Sequence, residues 1–324
     1  MNKCIGCGVI LQDTNKDKEG YTPNLNNNLC ERCFKIRHYN EYKYIDKDNA
    51  YYKQILKQIE KENNLVLLVT DFLNLEHLNT LNITSNIILV ISKRDIISRN
   101  IDETKLLDNI KLNLNIKEKL IIGTKNNYHL DELYNAIMKY KTSNKVYVIG
   151  YTNAGKSTLI NSFIKNYGNN ENFITTSNLP STTLDLIENK INENLILIDT
   201  PGLLDEGSVF DIYHNSLNKI IPKKEIRPIN IQVKIPQTIY IDDIAKIYIE
   251  QNNSLIFYMS NDLNIRRVYK KLIKNDDLKE YTLNINSKED LIIKGLGFIR
   301  FSKKSTIKLY LKENVKYVIR KSIL

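Results

Sequence analysis

The sequence predicts an α/β domain built on a parallel sheet, preceded by a small cysteine module and followed by a β-rich domain. Three observations carry that prediction. Five short apolar runs, at 65–69, 87–91, 120–122, 146–149 and 195–198, show no alternation with polar residues. Such runs suit strands buried on both faces of a parallel sheet. Helical stretches at 104–114, 130–139 and 156–165 lie between them, and alternation of strand and helix is the mark of a doubly wound sheet. Beyond about residue 219 that rhythm stops, and Pro222, Pro228 and Pro236 punctuate short strand-like runs.

The elements follow in chain order. Residues 1–48 hold little apolar periodicity and all four cysteines, as Cys4-x-x-Cys7 and Cys30-x-x-Cys33. Two such pairs can supply four thiolates to a tetrahedral Zn²⁺. Disulfides are the competing reading, but the chain opens without the apolar core of an export signal, so reduced thiols are expected. Four cysteines leave no open coordination position, which makes the site structural. A helix is predicted over 49–63, with Tyr52, Ile55, Leu56 and Ile59 on one face. Residues 49–218 then form the α/β domain. Residues 219–324 form the third, with strands at 229–235, 238–241, 247–249, 255–258, 291–294, 307–310 and 317–319. The sequence allows one helix there, around 264–274.

Charge divides the chain unevenly. The formal net charge is +10, and residues 219–324 hold 22 Lys+Arg against 11 Asp+Glu, while the rest hold 25 against 26. The bland reading is a solvated basic surface; the functional one is a polyanion partner, with RNA the natural choice. No stretch reaches the roughly 18 uncharged apolar residues that span a bilayer. A cytoplasmic protein without a membrane partner is therefore expected.

The chemistry sits at strand ends, where open α/β sheets place their ligands. Gly150-Tyr151-Thr152-Asn153-Ala154-Gly155-Lys156-Ser157, followed by Thr158, is a phosphate-binding loop between a strand and a helix. Backbone amides at Gly150, Asn153, Ala154 and Gly155 can cradle phosphates, Lys156 can reach the β- and γ-phosphates, and the Ser157 hydroxyl can ligate Mg²⁺. Asp199-Thr200-Pro201-Gly202 ends the run 195–198. Asp199 is expected to hold Mg²⁺ and Gly202 to follow the γ-phosphate. Ser181-Thr182-Thr183 lies between these motifs, and Thr183 is the expected switch ligand to Mg²⁺. Ser92-Lys93-Arg94-Asp95 reads the base: a carboxylate at Asp95 accepts two hydrogen bonds from guanine that adenine cannot give. Lys93 would lie along the base plane, with Gly123, Thr124 and Lys125 lending a backbone amide. GTP and GDP are thus the expected nucleotides, and Asp95 argues against an ATPase. Leu203 follows Gly202, where many GTPases carry a water-orienting Gln, so slow intrinsic turnover is expected. Asn153 offers a carbonyl near the phosphates, where K⁺ could bind. The four histidines form no motif and are read as structural.

The base-reading motif precedes the phosphate loop, the reverse of the usual order. That order predicts a circularly permuted Ras-like P-loop GTPase. These residues together resemble the circularly permuted ribosome-assembly GTPases, most closely the YqeH family. The resemblance rests on Cys4-Ile5-Gly6-Cys7-Gly8, on Leu29-Cys30-Glu31-Arg32-Cys33-Phe34, on the motif order, on the segment 173–185 and on Gly295-Leu296-Gly297-Phe298-Ile299. It implies a GTPase acting in small ribosomal subunit (30S) assembly, with the C-terminal domain on rRNA or ribosomal protein. It also implies a hydrophobic residue in place of the catalytic Gln, as at Leu203, and K⁺ activation through Asn153. Three departures stand out: Ile241-Asp242-Asp243-Ile244-Ala245 where the family tends to be glycine-rich, Gly123-Thr124 where it has Ser-Ala, and Ser92 where it has Asn. Serine is shorter, so a bond to guanine N7 or to the phosphate loop is at stake. The alternative function is a guanine-nucleotide-binding, RNA-associated assembly factor with negligible turnover.

Overall fold

The computed structural model of the chain describes residues 2, 4, 9–16, 18, 20–31, 34, 49–168, 177–178, 186–203, 206–213, 216–269 and 277–324. Helix α1 (Asn49–Glu62) opens the α/β part and buries Ile55 and Ile59, one helical turn apart. There follow β1 (Val66–Asp71), β2 (Ile87–Ser92), α2 (Glu103–Asn109), β3 (Ile116–Ile121), α3 (Leu130–Tyr140), β4 (Lys145–Gly150), α4 (Lys156–Tyr167), β5 (Ser177–Asn178), β6 (Ile187–Asn192) and β7 (Leu195–Asp199). They make one seven-stranded sheet in the order β3-β2-β1-β4-β7-β6-β5. Strands β1, β2, β3, β4 and β7 run parallel, while β6 and β5 return antiparallel. Every residue of β1 and β2 is buried, as unbroken apolar runs require. Helices on both faces complete two separate cores.

Where the sequence reading differs, packing gives the reason. The helix expected over 104–114 stops at Asn109, because buried Ile110 already turns the chain toward β3. Strand β3 starts at Ile116, earlier than the run 120–122, and carries Lys117, Glu118 and Lys119. It is an edge strand, and charge at an edge discourages further pairing. Strand β6 is a polar partner of β7 with Ile191 buried, so its sequence shows no apolar run.

A short helix, α5 (Leu217–Ile220), leads into ten strands: β8 (Ile229–Val233), β9 (Gln237–Ile241), β10 (Ala245–Ile249), β11 (Asn253–Met259), β12 (Ile265–Val268), β13 (Lys279–Ile285), β14 (Glu289–Ile293), β15 (Gly297–Phe301), β16 (Ser305–Leu311) and β17 (Tyr317–Lys321). They form two antiparallel sheets, β12-β9-β10-β16-β13 and β17-β14-β15-β11-β8. Ile239, Ile247 and Leu309 of the first sheet meet Leu255, Phe257 and Ile299 of the second in one core. The far face of the second sheet, with Tyr258, Ile292 and Phe298, packs instead into the core that holds Phe72, Leu75 and Leu78 of the α/β part. The helix expected around 264–274 is corrected at its start: residues 265–268 pair with β9 as an edge strand, and 270–274 lie outside the described residues. Strands β13 and β15 were also unforeseen. The first alternates polar and apolar residues, and the second begins on a glycine.

Candidate nucleotide site

Strand β4 ends at Gly150 and α4 begins at Lys156, so the loop between them lies at the C-terminal edge of a central strand. Gly155 enters the helix at φ +91° with Ser92 against its α-carbon, a position that a side chain would strain. Asn153 also takes positive φ, at 65°. The Lys156 side chain is buried, and its ammonium donates to Gly150 O at 3.0 Å. Burial lowers the Lys156 pKa, and the negative charge of Asp199 opposes that.

Asp199 closes β7, next to β4 in the sheet. Burial pushes its carboxyl up to about 6, against the opposing pull of Lys156, the Ser157 hydroxyl and the Thr200 amide. Its Oδ1 is buried and accepts no hydrogen bond among the described residues. A buried carboxylate oxygen in need of a partner, beside a serine hydroxyl, is the hard donor set that suits Mg²⁺. Thr183, the expected third ligand, lies outside the described residues.

The chain after Asp199 turns along the phosphate loop. Leu203 N donates to Gly150 O and Thr152 N to Leu203 O, both at 3.1 Å, which makes a parallel bridge between Tyr151 and Leu203. Leu203 is buried in the α/β core. An apolar side chain packed away there supplies no group to orient water.

The residues expected to read the base gather at the ends of β2 and β3. Arg94 N donates to Ile122 O at 3.0 Å and ties the two loops together. Gly123 forms a bridge with Tyr128, and Thr124 and Lys125 follow it. The Asp95 carboxylate pairs with the Lys125 ammonium, so a guanine edge would compete with that lysine. Ser92 answers the phosphate-loop half of the question its length raised. Its hydroxyl lies 2.5 Å from Ala154 O and 3.0 Å from Thr70 O, so it reaches the phosphate loop. Lys93 stands at φ 58°, and its ammonium meets Asp71 Oδ2 at 2.8 Å. Asp71 carried no motif in the sequence; its signal was a lone acidic residue at the end of an apolar strand.

Sequence reasoning also missed how the C-terminal sheets grip the site. Lys316 N donates to Gly207 O at 2.8 Å, and Val209 N to Lys294 O at 2.9 Å. Val209 and Tyr213 belong to the core of the β-sandwich, and burial pushes the Tyr213 hydroxyl up to about 12. A side chain on Gly295 would start 2.1 Å from Ser208 Oγ, so the segment 207–213 lies directly on that turn. Elsewhere Ile226 N donates to Ile96 O at 2.9 Å, and Arg320 meets Glu76 at 2.9 Å. The Arg320 guanidinium also lies 5.0 Å from the Phe298 ring and 3.7 Å from Asp290.

At the N-terminus Cys4 and Cys30 are buried together with Leu11. Cys30 N donates to Cys4 Sγ at 3.2 Å, the kind of bond that steadies a thiolate. Cys7 and Cys33 lie outside the described residues. Among the described residues no three His, Cys, Asp or Glu side chains converge as a metal site.

Residues 145–287 match the family model described as a 50S ribosome-binding GTPase. The chain is 24% identical to GTPase Der of Mycoplasma capricolum, over 77% of this chain and 61% of that one. It is 23% identical to the NO-associated protein 1, chloroplastic/mitochondrial, of Arabidopsis thaliana, over 69% of this chain and 47% of that one. Its likeness to the uncharacterized protein YqeH of Bacillus subtilis (strain 168) is 30% identity covering 99% of both chains. Identity of 30% that runs from the cysteine pairs through the sandwich shows that the chain belongs to the YqeH family of GTPases.

Proposed function

We propose that this protein is a GTP-hydrolysing assembly factor for the small ribosomal subunit, with a circularly permuted G domain whose nucleotide state is passed to the C-terminal sandwich. The observation that carries the reading is the route of the chain after Gly202. Leu203 is bonded to the phosphate loop, and Gly207 is bonded to Lys316 of the sandwich. They lie four positions apart in the chain, a reach of at most about 14 Å. A γ-phosphate that draws the Gly202 amide toward itself pulls on a segment already fixed in the sandwich. Permutation is supported by the sheet: β2 and β3 precede β4 in the chain yet lie beyond β1 on its flank. It is also supported by the GTPase family match, which begins at residue 145.

In this reading Gly150, Asn153, Ala154, Gly155, Lys156, Ser157 and Thr158 hold the phosphates. Asp95 and Lys93 receive guanine, with backbone at Gly123, Thr124 and Lys125. Ser157, Thr183 and Asp199 would hold Mg²⁺, which when bound offsets the charge of the phosphates. Lys156 adds a fixed positive charge where negative charge develops. Cys4, Cys7, Cys30 and Cys33 would hold a structural Zn²⁺, and the buried pair Cys4 and Cys30 fits that role. The excess charge of residues 219–324 supports a contact with rRNA or an acidic partner. Among the described residues no helix is long and apolar enough to cross a membrane.

The test is co-sedimentation with 30S precursors, mature 30S and 50S particles, with a GTP analogue and with GDP, across a salt series. The expected result is tighter binding to 30S precursors in the GTP state, lost steeply with salt. Preference for 50S would reject the small-subunit assignment, and equal binding in both states would reject the switch. Buried Leu203 favours a second reading, in which the protein binds guanine nucleotide and hardly turns it over. Turnover in K⁺ against Na⁺, with and without particles, separates the two. Equal rates in both ions, or full stimulation in Asn153→Ala, would remove the K⁺ role of Asn153.

A further inference from the structure

We propose that Asp71 is a positioning residue for the guanine base, acting through Lys93; the inference rests on the reading that places Lys93 at the base. Asp71 ends β1 directly beside Ser92 in the parallel register. Its two oxygens have different duties. Oδ1 accepts from Leu73 N at 3.1 Å and from Asn74 Nδ2 at 2.7 Å, which closes a tight turn. Oδ2 accepts from the Lys93 ammonium at 2.8 Å. The turn that carries the carboxylate is anchored by the next residue, Phe72, which is buried edge-on to Phe298 with ring centres 5.3 Å apart.

Lysine is a flexible stem that carries three donors. Unheld, it would sample many rotamers, and ordering it would weaken nucleotide binding. Asp71 takes one donor and fixes the stem, leaving two donors and a straightened chain for the nucleotide. The left-handed turn at Lys93 sends the side chain back toward β1, where that carboxylate waits. The arrangement also makes the C-terminal sandwich part of the support, since Phe298 and Tyr258 close over Phe72.

Asp71→Asn separates the two duties. It keeps an oxygen for the turn and removes the charge that holds Lys93. The experiment is a fluorescence titration with N-methylanthraniloyl-GDP of the full chain, comparing wild type, Asp71→Asn, Lys93→Ala and the double variant. Each single change should weaken binding about tenfold, the worth of one charge-assisted hydrogen bond. The double variant should bind no more weakly than Lys93→Ala alone, because a residue acting through Lys93 has nothing left to position. Asp71→Glu, which restores the charge, should recover part of the affinity, and it serves as the second variant where Asp71→Asn is unstable. Unchanged affinity in Asp71→Asn, or losses that multiply in the double variant, would overturn the proposal. An unaffected Lys93→Ala would instead reject the placement of Lys93 at the base, and the proposal with it.

Discussion

Replacing Asp199 by Asn should stabilise the metal-free protein at neutral pH while abolishing its response to Mg²⁺. Burial moves the Asp199 carboxyl from 3.8 to about 6, even with the attraction of Lys156 counted. At about 1.4 kcal/mol per pH unit, keeping it ionised at pH 7 costs folding roughly 3 kcal/mol. The sign follows from proton binding. A carboxyl whose pKa is raised by folding adds stability below its unfolded value, near 3.8, and that contribution is lost as pH rises through about 6. An amide carries no such term. In EDTA, then, Asp199→Asn should exceed wild type by roughly 3 kcal/mol at pH 7.5 and match it near pH 4. The assay is urea unfolding of both proteins at several pH values. With saturating Mg²⁺ and GTP the order should reverse, because only the wild-type carboxylate gains a cation and binding adds to stability. Below pH 6 the cation must displace a proton, so apparent Mg²⁺ affinity should fall about tenfold per pH unit. A stability difference that stays constant between pH 4 and 8 would refute the argument, because Asp199 would then not be the buried acid.

Three further outcomes follow from the same residues. Metal analysis of protein purified without chelator should find about one zinc per chain, and Cys30→Ser should unfold residues 1–48 while nucleotide binding survives; absence of zinc would reject the module. Asp95→Asn should shift preference from guanine to xanthine nucleotides, because its amide can donate to the 2-oxo group; wild-type binding of ATP as tight as GTP would reject the base assignment. Arg320→Ala should lower stability to urea by about 3 kcal/mol, because it removes the guanidinium that meets buried Glu76 and Asp290, while Asp290 keeps Arg300 at 3.7 Å; a loss under about 1 kcal/mol would mean the contact is solvated like a surface bridge.

The phosphate loop, Asp199 and the base-reading strip were legible because each is a short string fixed to the end of an apolar strand. Local sequence determines such sites, and burial on both faces makes the strand conspicuous. Three strands that escaped, β6, β12 and β13, lie at or near sheet edges, where one side faces water and polar residues interrupt the pattern; β15 is central and buried, and its glycine start hides it. Ser92 illustrates a different limit. Its side-chain length suggested a lost bond, but the approach of Ala154 to β2 makes a hydroxyl long enough. Only the backbone path decides that.

The contacts that join the nucleotide site to the sandwich were illegible for a physical reason. Arg320 and Glu76 are 244 residues apart in the chain, and each alone is an ordinary surface residue type. Lys316 to Gly207 and Val209 to Lys294 are backbone bonds, and any residue but proline can donate one. The sequence places Gly202 only 17 positions before Lys219, where the basic segment begins. The structure shortens that distance, since Val209 and Tyr213 already pack in the sandwich core. A second support reaches the base side, through Phe72 between Phe298 and Tyr258. The sandwich thus holds both the segment that follows the γ-phosphate motif and the turn that carries Asp71. Under the proposed function, a partner that strains the sandwich would act on phosphate and base at once, and by linkage a nucleotide that favours one sandwich position would favour the partner that selects it.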